Sequence, residues 1–280
     1  DNFGRSVALD GNRLAVGACG DDGSGNAATD SGAVYLFSFS DSVFNGATLQ
    51  GTIGKGYAGG KNFDLTALDN GDRFGSSVSL DGTRLAAEAD NGDGFGNATA
   101  NAGDVYLFSF TDSSFSGGSL VGTIGKGYVN GYDLGSKVVA GDNFGLSLSL
   151  EGTRLAVGTQ GDDGFGNTTA DVGGVYLFTF ADSNFTNPKL EGMIGKGYVG
   201  GKNFNVNALE ANDYFGTYVS LNGNRLAVAA PTDDGFGNTT ANVGAVYLFS
   251  FTDSVFSGPT LEATIGKGYT GGKNFDVSVL

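Results

Sequence analysis

A segment of about 70 residues is written four times along this chain, and that repetition limits the fold more than any local pattern does. The dipeptide Phe3-Gly4 returns as Phe74-Gly75, Phe144-Gly145 and Phe215-Gly216. It divides one repeat domain into units 1–73, 74–143, 144–214 and 215–280. Short tandem units cannot each bury their apolar faces alone, so they must pack on their neighbours.

Each unit carries its strands in the same order. After Phe-Gly comes an alternating run, such as Ser76-Ser77-Val78-Ser79-Leu80, which suits a half-buried strand. A turn at Asp10-Gly11, Asp81-Gly82, Glu151-Gly152 or Asn222-Gly223 then leads into Arg-Leu-Ala, and together these read as a β-hairpin. Val34-Tyr35-Leu36-Phe37-Ser38-Phe39 is apolar on both faces, so it needs cover above and below its sheet. A fourth strand is expected at Gly51-Thr52-Ile53-Gly54, and a fifth in the connection over Phe63 to Leu68. No segment has helical periodicity with caps, so little or no helix is predicted. The expected class is all-β: a β-propeller of four four-stranded antiparallel units, with an open linear stack of the same units as the alternative.

Composition narrows the function. With 22 Phe and 11 Tyr, the chain is too apolar for disorder. A formal charge of −15 repels phosphate backbones and anionic lipid, which argues against nucleic-acid partners and membrane-surface binding. No run of about 18 apolar residues is present, so membrane insertion is not expected. Cys19 is the only cysteine and no intramolecular disulfide can form. With no histidine, a Ser-His-Asp or Cys-His mechanism is excluded. The chain opens inside its motif, at Asp1-Asn2-Phe3-Gly4, without a signal peptide, which reads as a piece of a longer array.

Three elements of repeat 1, Phe3-Gly4, Val16-Gly17-Ala18 and Gly32-Ala33-Val34-Tyr35, resemble the FG-GAP repeat. Repeat 2 departs at Ala87-Glu88-Ala89 and repeat 4 at Val228-Ala229-Ala230-Pro231. The array is also similar to those of large bacterial filamentous-haemagglutinin-like exoproteins. The FG-GAP resemblance implies a propeller of the integrin α-chain kind, a surface location and an adhesive role. Because such propellers commonly close with seven blades, four units leave open a small ring, part of a larger ring, or an open array.

The acidic loop is the candidate metal site. Its oxygen donors are Asp21, Asp22, Asn26 and Asp30, then Asp93 and Asn97, then Asp162, Asp163, Asn167 and Asp171, then Asp233, Asp234 and Asn238. Carboxylates and amide oxygens in a tight glycine loop suit calcium. The FG-GAP calcium loop lies at this place, although its Asp-x-Asp-x-Asp-Gly spacing is absent and repeat 2 has Gly92 where repeat 1 has Asp21. The competing reading is a solvated loop of Asx-turns. Asp41-Ser42 and its copies read as turn caps that hold Phe44 and its equivalents inward. Lys55, Lys126, Lys196 and Lys267 lack phosphate-loop spacing and are expected to pair with carboxylates of an adjacent unit. The recurring arginines Arg13, Arg84, Arg154 and Arg225 are expected to fix carboxylates or carbonyls.

These readings describe a non-enzymatic extracellular or cell-surface module, structural or adhesive, whose partners are copies of itself, surface or matrix proteins, or glycans. The alternative is a calcium-dependent carbohydrate- or protein-binding propeller. Near-identical units argue against catalysis, which needs one asymmetric constellation.

Overall fold

The computed structural model describes residues 1–278. Repeat 1 supplies β1 (Phe3–Asp10), β2 (Arg13–Ala18), β3 (Ala33–Ser38), β4 (Thr48–Gly54) and β5 (Phe63–Asp64). Repeat 2 supplies β6 (Phe74–Asp81), β7 (Arg84–Ala89), β8 (Asp104–Ser109), β9 (Ser119–Gly125) and β10 (Tyr132–Asp133). Repeat 3 gives β11 (Phe144–Glu151), β12 (Arg154–Thr159), β13 (Gly174–Thr179), β14 (Lys189–Gly195) and β15 (Phe204–Asn205). Repeat 4 gives β16 (Tyr218–Asn222), β17 (Arg225–Ala230), β18 (Ala245–Ser250), β19 (Thr260–Gly266) and β20 (Phe275–Asp276).

Each repeat forms its own sheet, with strands in sequence order. The first four strands run antiparallel, the up-and-down order of a propeller blade, and the all-β, blade-built fold class is the expected one. The fifth strand is shorter than the sequence suggested. Only two residues of it pair, and they pair parallel, Ile53 with Phe63 and Gly54 with Asp64. Among the described residues the only helical segments are two 3-10 turns, Phe95–Asn97 and Gly135–Lys137.

The hairpin turns follow from glycine. Asp10 pairs with Arg13 across a two-residue loop, and Gly11 takes φ 56°, a sign only glycine adopts without cost at the first loop position. The two signature dipeptides meet each other. Gly32, at the head of β3, bridges Phe74 of the next repeat, and Gly173 bridges Phe215 in the same way. A Cβ on Gly32 would lie 2.1 Å from the Phe74 carbonyl oxygen, so no other residue fits there.

The chain divides into two compact units, residues 1–145 with 182–186, and residues 146–181 with 187 onward. In the first, Ala15, Val34, Leu36 and Ile53 of repeat 1 share a core with Phe74, Val78 and Leu80 of repeat 2. In the second, Ala156, Val175, Leu177 and Ile194 of repeat 3 share one with Phe215, Leu221 and Leu226 of repeat 4. This explains why the third strand is apolar on both faces: one face serves its own repeat and the other its neighbour. A buried phenylalanine contributes about 1.5–3 kcal/mol by burial, so Phe74 and Phe215, both fully buried, tie successive repeats together.

Candidate functional site

The acidic loop runs from the second strand to the third, and its carboxylates point two ways. The first aspartate turns inward. Asp21 accepts a hydrogen bond from the Gly23 amide at 2.9 Å and from the hydroxyls of Tyr35 and Tyr57 at 2.6 and 3.0 Å. Asp162 does the same with the Gly164 amide, Tyr176 and Tyr198, all at 2.8 Å. Asp233 repeats it with Gly235, Tyr247 and Tyr269. Burial, then the neighbouring aspartate, raises the Tyr35 pKa strongly, and Tyr247 shifts the same way for the same reasons, so both phenols stay protonated donors.

Repeat 2 builds the same cluster with a different residue. Gly92 stands where the other loops have Asp21, Asp162 and Asp233, and the carboxylate comes from Asp104 on β8, where the other repeats have Ala33, Gly174 and Ala245. Tyr128 donates to Asp104 Oδ2 at 3.0 Å. A Cβ on Gly92 would lie 2.5 Å from that same oxygen, so the strand aspartate fills the space of the missing loop aspartate. The exchange is incomplete, because Asp104 Oδ1 is buried with no hydrogen-bond partner. Burial pushes its pKa up to about 7, with the Tyr128 hydroxyl opposing the rise.

The second loop aspartate caps the turn. Asp22 accepts from the Asp30 amide, Asp163 from Asp171, both at 2.8 Å, and Asp234 from Asn242 at 2.7 Å. Asp93 accepts from the Asn101 amide at 2.8 Å. Asn26, Asn97, Asn167 and Asn238 take the left-handed conformation, with φ 53–56°, that asparagine tolerates in such turns. The paired loop aspartates therefore take two roles, tyrosine acceptor and turn cap, while the predicted asparagines, Asp30 and Asp171 occupy left-handed turn positions. Among the described residues no three Asp, Glu or Cys side chains are gathered as a metal-holding group.

Above the clusters of repeats 2, 3 and 4 stands an exposed phenylalanine, where repeat 1 has Ser24. Phe95, Phe165 and Phe236 are 60, 63 and 61% exposed and occupy the same loop position in repeats 2, 3 and 4. Each meets a cluster tyrosine edge-on, Phe95 with Tyr128 and Phe236 with Tyr269 at 5.7 Å, and Phe165 with Tyr198 at 6.1 Å. In the first compact unit Phe95, Tyr106, Thr123, Tyr128 and Val129 line an open cleft of about 610 Å3. In the second, Phe236, Tyr247, Thr264 and Tyr269 line a counterpart of about 390 Å3. The larger cleft belongs to repeat 2, whose connection is two residues shorter, running Ile124 to Tyr132 against Ile53 to Phe63. The missing residues are the pair Lys61-Asn62, in which the Asn62 side-chain oxygen accepts from the Thr52 amide at 2.9 Å.

The remaining motifs are structural. Asp41 caps its turn as expected, accepting from the Val43 and Asn45 amides at 3.0 and 3.1 Å, but Phe44 is not held inward: it is exposed, whereas its equivalents Phe115, Phe185 and Phe256 are buried. Lys55 differs from expectation. Its ammonium donates to the Thr66 and Leu68 carbonyls of its own connection, with only a 3.5 Å contact to Asp69, also in that connection. Lys196 likewise donates to the Asn207 and Leu209 carbonyls, because the connection folds over its strand and leaves those oxygens in need of donors. Arg13 joins a carboxylate and a carbonyl, donating to Asp10 and to Gly82 of the next repeat.

Buried carboxyls set the response to pH. Desolvation raises Asp72 and Asp213 to about 6, and Asp162 and Asp90 shift the same way. A carboxyl raised by folding holds its proton more tightly in the native state. Its stabilising contribution is complete below the unfolded pKa of about 4 and is lost as pH rises through the folded value. The exposed Asp41, Asp112 and Asp253, lowered by hydrogen bonds, act oppositely and only below that range. The urea midpoint should therefore peak near pH 4–5 and fall steadily to pH 8, the reverse of ordinary acid denaturation. A midpoint that rises from pH 5 to 8 would contradict this account.

These observations define a class, an array of blade-type β-sheets, each clasped by one buried carboxylate and a tyrosine pair. The FG-GAP repeat pattern matches three stretches of the array, residues 1–37, 134–178 and 209–249. The stretch 38–133, outside those matches, holds the departures of repeat 2: Glu88, Gly92, Asp104 and the shortened connection. No curated protein sequence matches the chain. Among solved structures, the native Bacillus subtilis arabinanase Arb43A is similar at a TM-score of 0.40 and 12% identity, over 89% of this chain and 72% of its own. The GH43 endo-arabinanase from Bacillus licheniformis is similar at 0.40 and 11%, over 91% and 74%. At that likeness neither activity nor substrate carries over to this chain.

Proposed function

We propose that the chain is a non-enzymatic structural and adhesive repeat module of a large surface or secreted protein, and that its binding surface is the recurring aromatic cleft. The observation that carries this reading is the exposed phenylalanine set at one loop position in three repeats, each held edge-on by a tyrosine. A large exposed aromatic ring is costly to leave in water and recurs where a partner covers it. Beside it the cleft offers hydroxyls and backbone groups, a combination suited to glycans or to polar protein surfaces. The loop aspartates of repeats 1, 3 and 4 are engaged in the same tyrosine clasps and turn caps, a symmetric arrangement rather than one asymmetric pair.

The test is binding of the purified chain to panels of glycans and matrix proteins, in calcium and again in chelator. Against the ligand found, the triple variant Phe95→Ser, Phe165→Ser, Phe236→Ser should lose at least tenfold in affinity with an unchanged circular dichroism spectrum. Equal binding by the variant, or no binding to either panel, would overturn the reading. Binding that disappears in chelator would instead assign the loops to calcium.

A further inference from the structure

Three of the four acidic loops carry the same two additions to one shared backbone. Repeats 2, 3 and 4 read Phe95-Gly96-Asn97-Ala98-Thr99, Phe165-Gly166-Asn167-Thr168-Thr169 and Phe236-Gly237-Asn238-Thr239-Thr240. Repeat 1 reads Ser24-Gly25-Asn26-Ala27-Ala28. It keeps the asparagine but lacks both the ring before it and the threonine after it. Ring and hydroxyl are present together or absent together.

The fold of the loop needs neither. The amides of Phe95, Phe165 and Phe236 donate to the carbonyls of Lys126, Lys196 and Lys267 at 2.8, 2.9 and 2.9 Å. Ser24 makes the same bond to Lys55 at 2.9 Å without a ring. The amides of Thr99, Thr169 and Thr240 donate to the carbonyls of Asp93, Asp163 and Asp234 at 2.8, 2.9 and 3.0 Å. Ala28 donates to Asp22 at 2.8 Å without a hydroxyl. All four asparagines hold the same left-handed backbone. Thr168 and Thr239 reach the Phe165 and Phe236 carbonyls at 3.5 and 3.4 Å, whereas the hydroxyls of Thr99, Thr169 and Thr240 find no hydrogen-bond partner among the described residues.

An asparagine with a threonine two positions on, and no proline between, is the acceptor pattern for N-linked sugar. Asn97 and Asn167 are exposed and Asn238 is half-buried. The Asn97 side-chain amide donates to the exposed Asp69 carboxylate, and Phe95, Asn97 and Asp69 line the same cleft. An exposed ring beside the acceptor offers a sugar an apolar face to lie on, with the sugar hydroxyls left in water.

We propose that Asn97, Asn167 and Asn238 carry N-linked sugars, and that Phe95, Phe165 and Phe236 are the platforms for the first sugar ring. A glycosyltransferase would bring the sugar as its diphosphate-linked donor. The asparagine Nδ2 attacks the anomeric carbon; the C–N bond forms, the C–O bond to diphosphate breaks, and the amide gives up one proton. The attached sugar then occupies the ring face that an outside partner would use, so modification closes the clefts. This rests on the reading of the chain as a surface or secreted module, where such sugars are found.

Peptide mass spectrometry on the protein from its own cells, fractionated first, tests it. Peptides holding Asn97, Asn167 and Asn238 should be heavier by whole sugar units in more than half of the molecules, and the Asn26 peptide should not. A chain found at the surface or in the medium with these three asparagines bare overturns this proposal alone. A chain confined to the cytosol and bare overturns the module reading with it. The role of the rings is read in a glycosylating secretory host. Asn184-Phe185-Thr186 also fits the acceptor pattern, but Asp182 stands where the ring would be, so it is the reference site. Phe95→Ser should lower occupancy of Asn97 at least twofold and leave Asn184 unchanged, which shows that the variant is still made and exported. Equal occupancy of Asn97 with and without its ring would remove the platform. No ligand enters either measurement, so empty glycan and matrix panels would leave both results standing.

Discussion

Gly92→Asp should destabilise the wild-type chain by about 3 kcal/mol and should stabilise a chain that already carries Asp104→Ala. In the wild type the new carboxylate would enter the space held by Asp104 Oδ2, 2.5 Å from a Cβ at position 92, bringing steric overlap and a second buried charge. Asp104→Ala alone should cost about 1–3 kcal/mol, because the half-buried hydroxyl of Tyr128 loses its acceptor. The double variant rebuilds the arrangement of repeats 1 and 4, an aspartate in the loop and an alanine on the strand. Its carboxylate gains the loop amide that Gly23 and Gly235 supply to Asp21 and Asp233, so stability should return at least to the wild-type level. The coupling between the two sites should reach about 4–6 kcal/mol, the sum of the two single costs, which is larger than residues in contact ordinarily show. Urea titration of the four proteins measures it, and additive effects would refute the exchange of carboxylates.

Glu88→Met should stabilise the protein at pH 8 by about 3 kcal/mol, the size of effect expected when an uncompensated buried charge is removed. Glu88 lies on β7, where the other repeats have Gly17, Gly158 and Ala229. It is fully buried, and neither carboxyl oxygen has a hydrogen-bond partner. Burial pushes its pKa well above the usual range and Asp90 adds to the rise, while Arg73 and the Ser77 backbone pull the other way. Methionine keeps the length of the chain and carries no charge. Because the glutamate pKa is raised by folding, its penalty is absent below the unfolded value of about 4.5 and grows with pH. The advantage of the methionine variant should shrink to nearly nothing at pH 4.5. A gain independent of pH would mean that packing, not charge, sets the cost.

The repeat, the hairpins, the two-faced third strand and the Asp41 cap were legible in the sequence because each depends on residues a few positions apart. The inward turn of Asp21 was not. It depends on Tyr35 and on Tyr57, 36 residues away, and their meeting follows from strand packing rather than local spacing. A signal for Asp104 did exist. The loop loses its aspartate at Gly92 in the same repeat in which the strand gains one, and reading the two changes together would have located the buried cluster. The lysines were assigned to carboxylates because charge is visible in a sequence, whereas carbonyls left over by a folded connection are not. The Arg13 guanidinium lying over the Phe115 ring was beyond reach for the same reason, since the two meet only once strands of two repeats have packed.

The sharing of each core between two repeats has a further consequence for how such a chain can change. Since Phe74 completes the core of the repeat before it, and Phe215 does the same in the second compact unit, neither repeat of a pair holds its core alone. Cutting one out alone leaves apolar surface bare, so single repeats should not behave as independent folding units. Inserting one at a repeat boundary adds both halves of a new junction at once, and the old junctions are re-formed unchanged. Length can then vary by duplication or loss of whole repeats without any core being solved anew. The chemistry of an individual repeat, as the altered carboxylates of repeat 2 illustrate, is free to drift inside that frame.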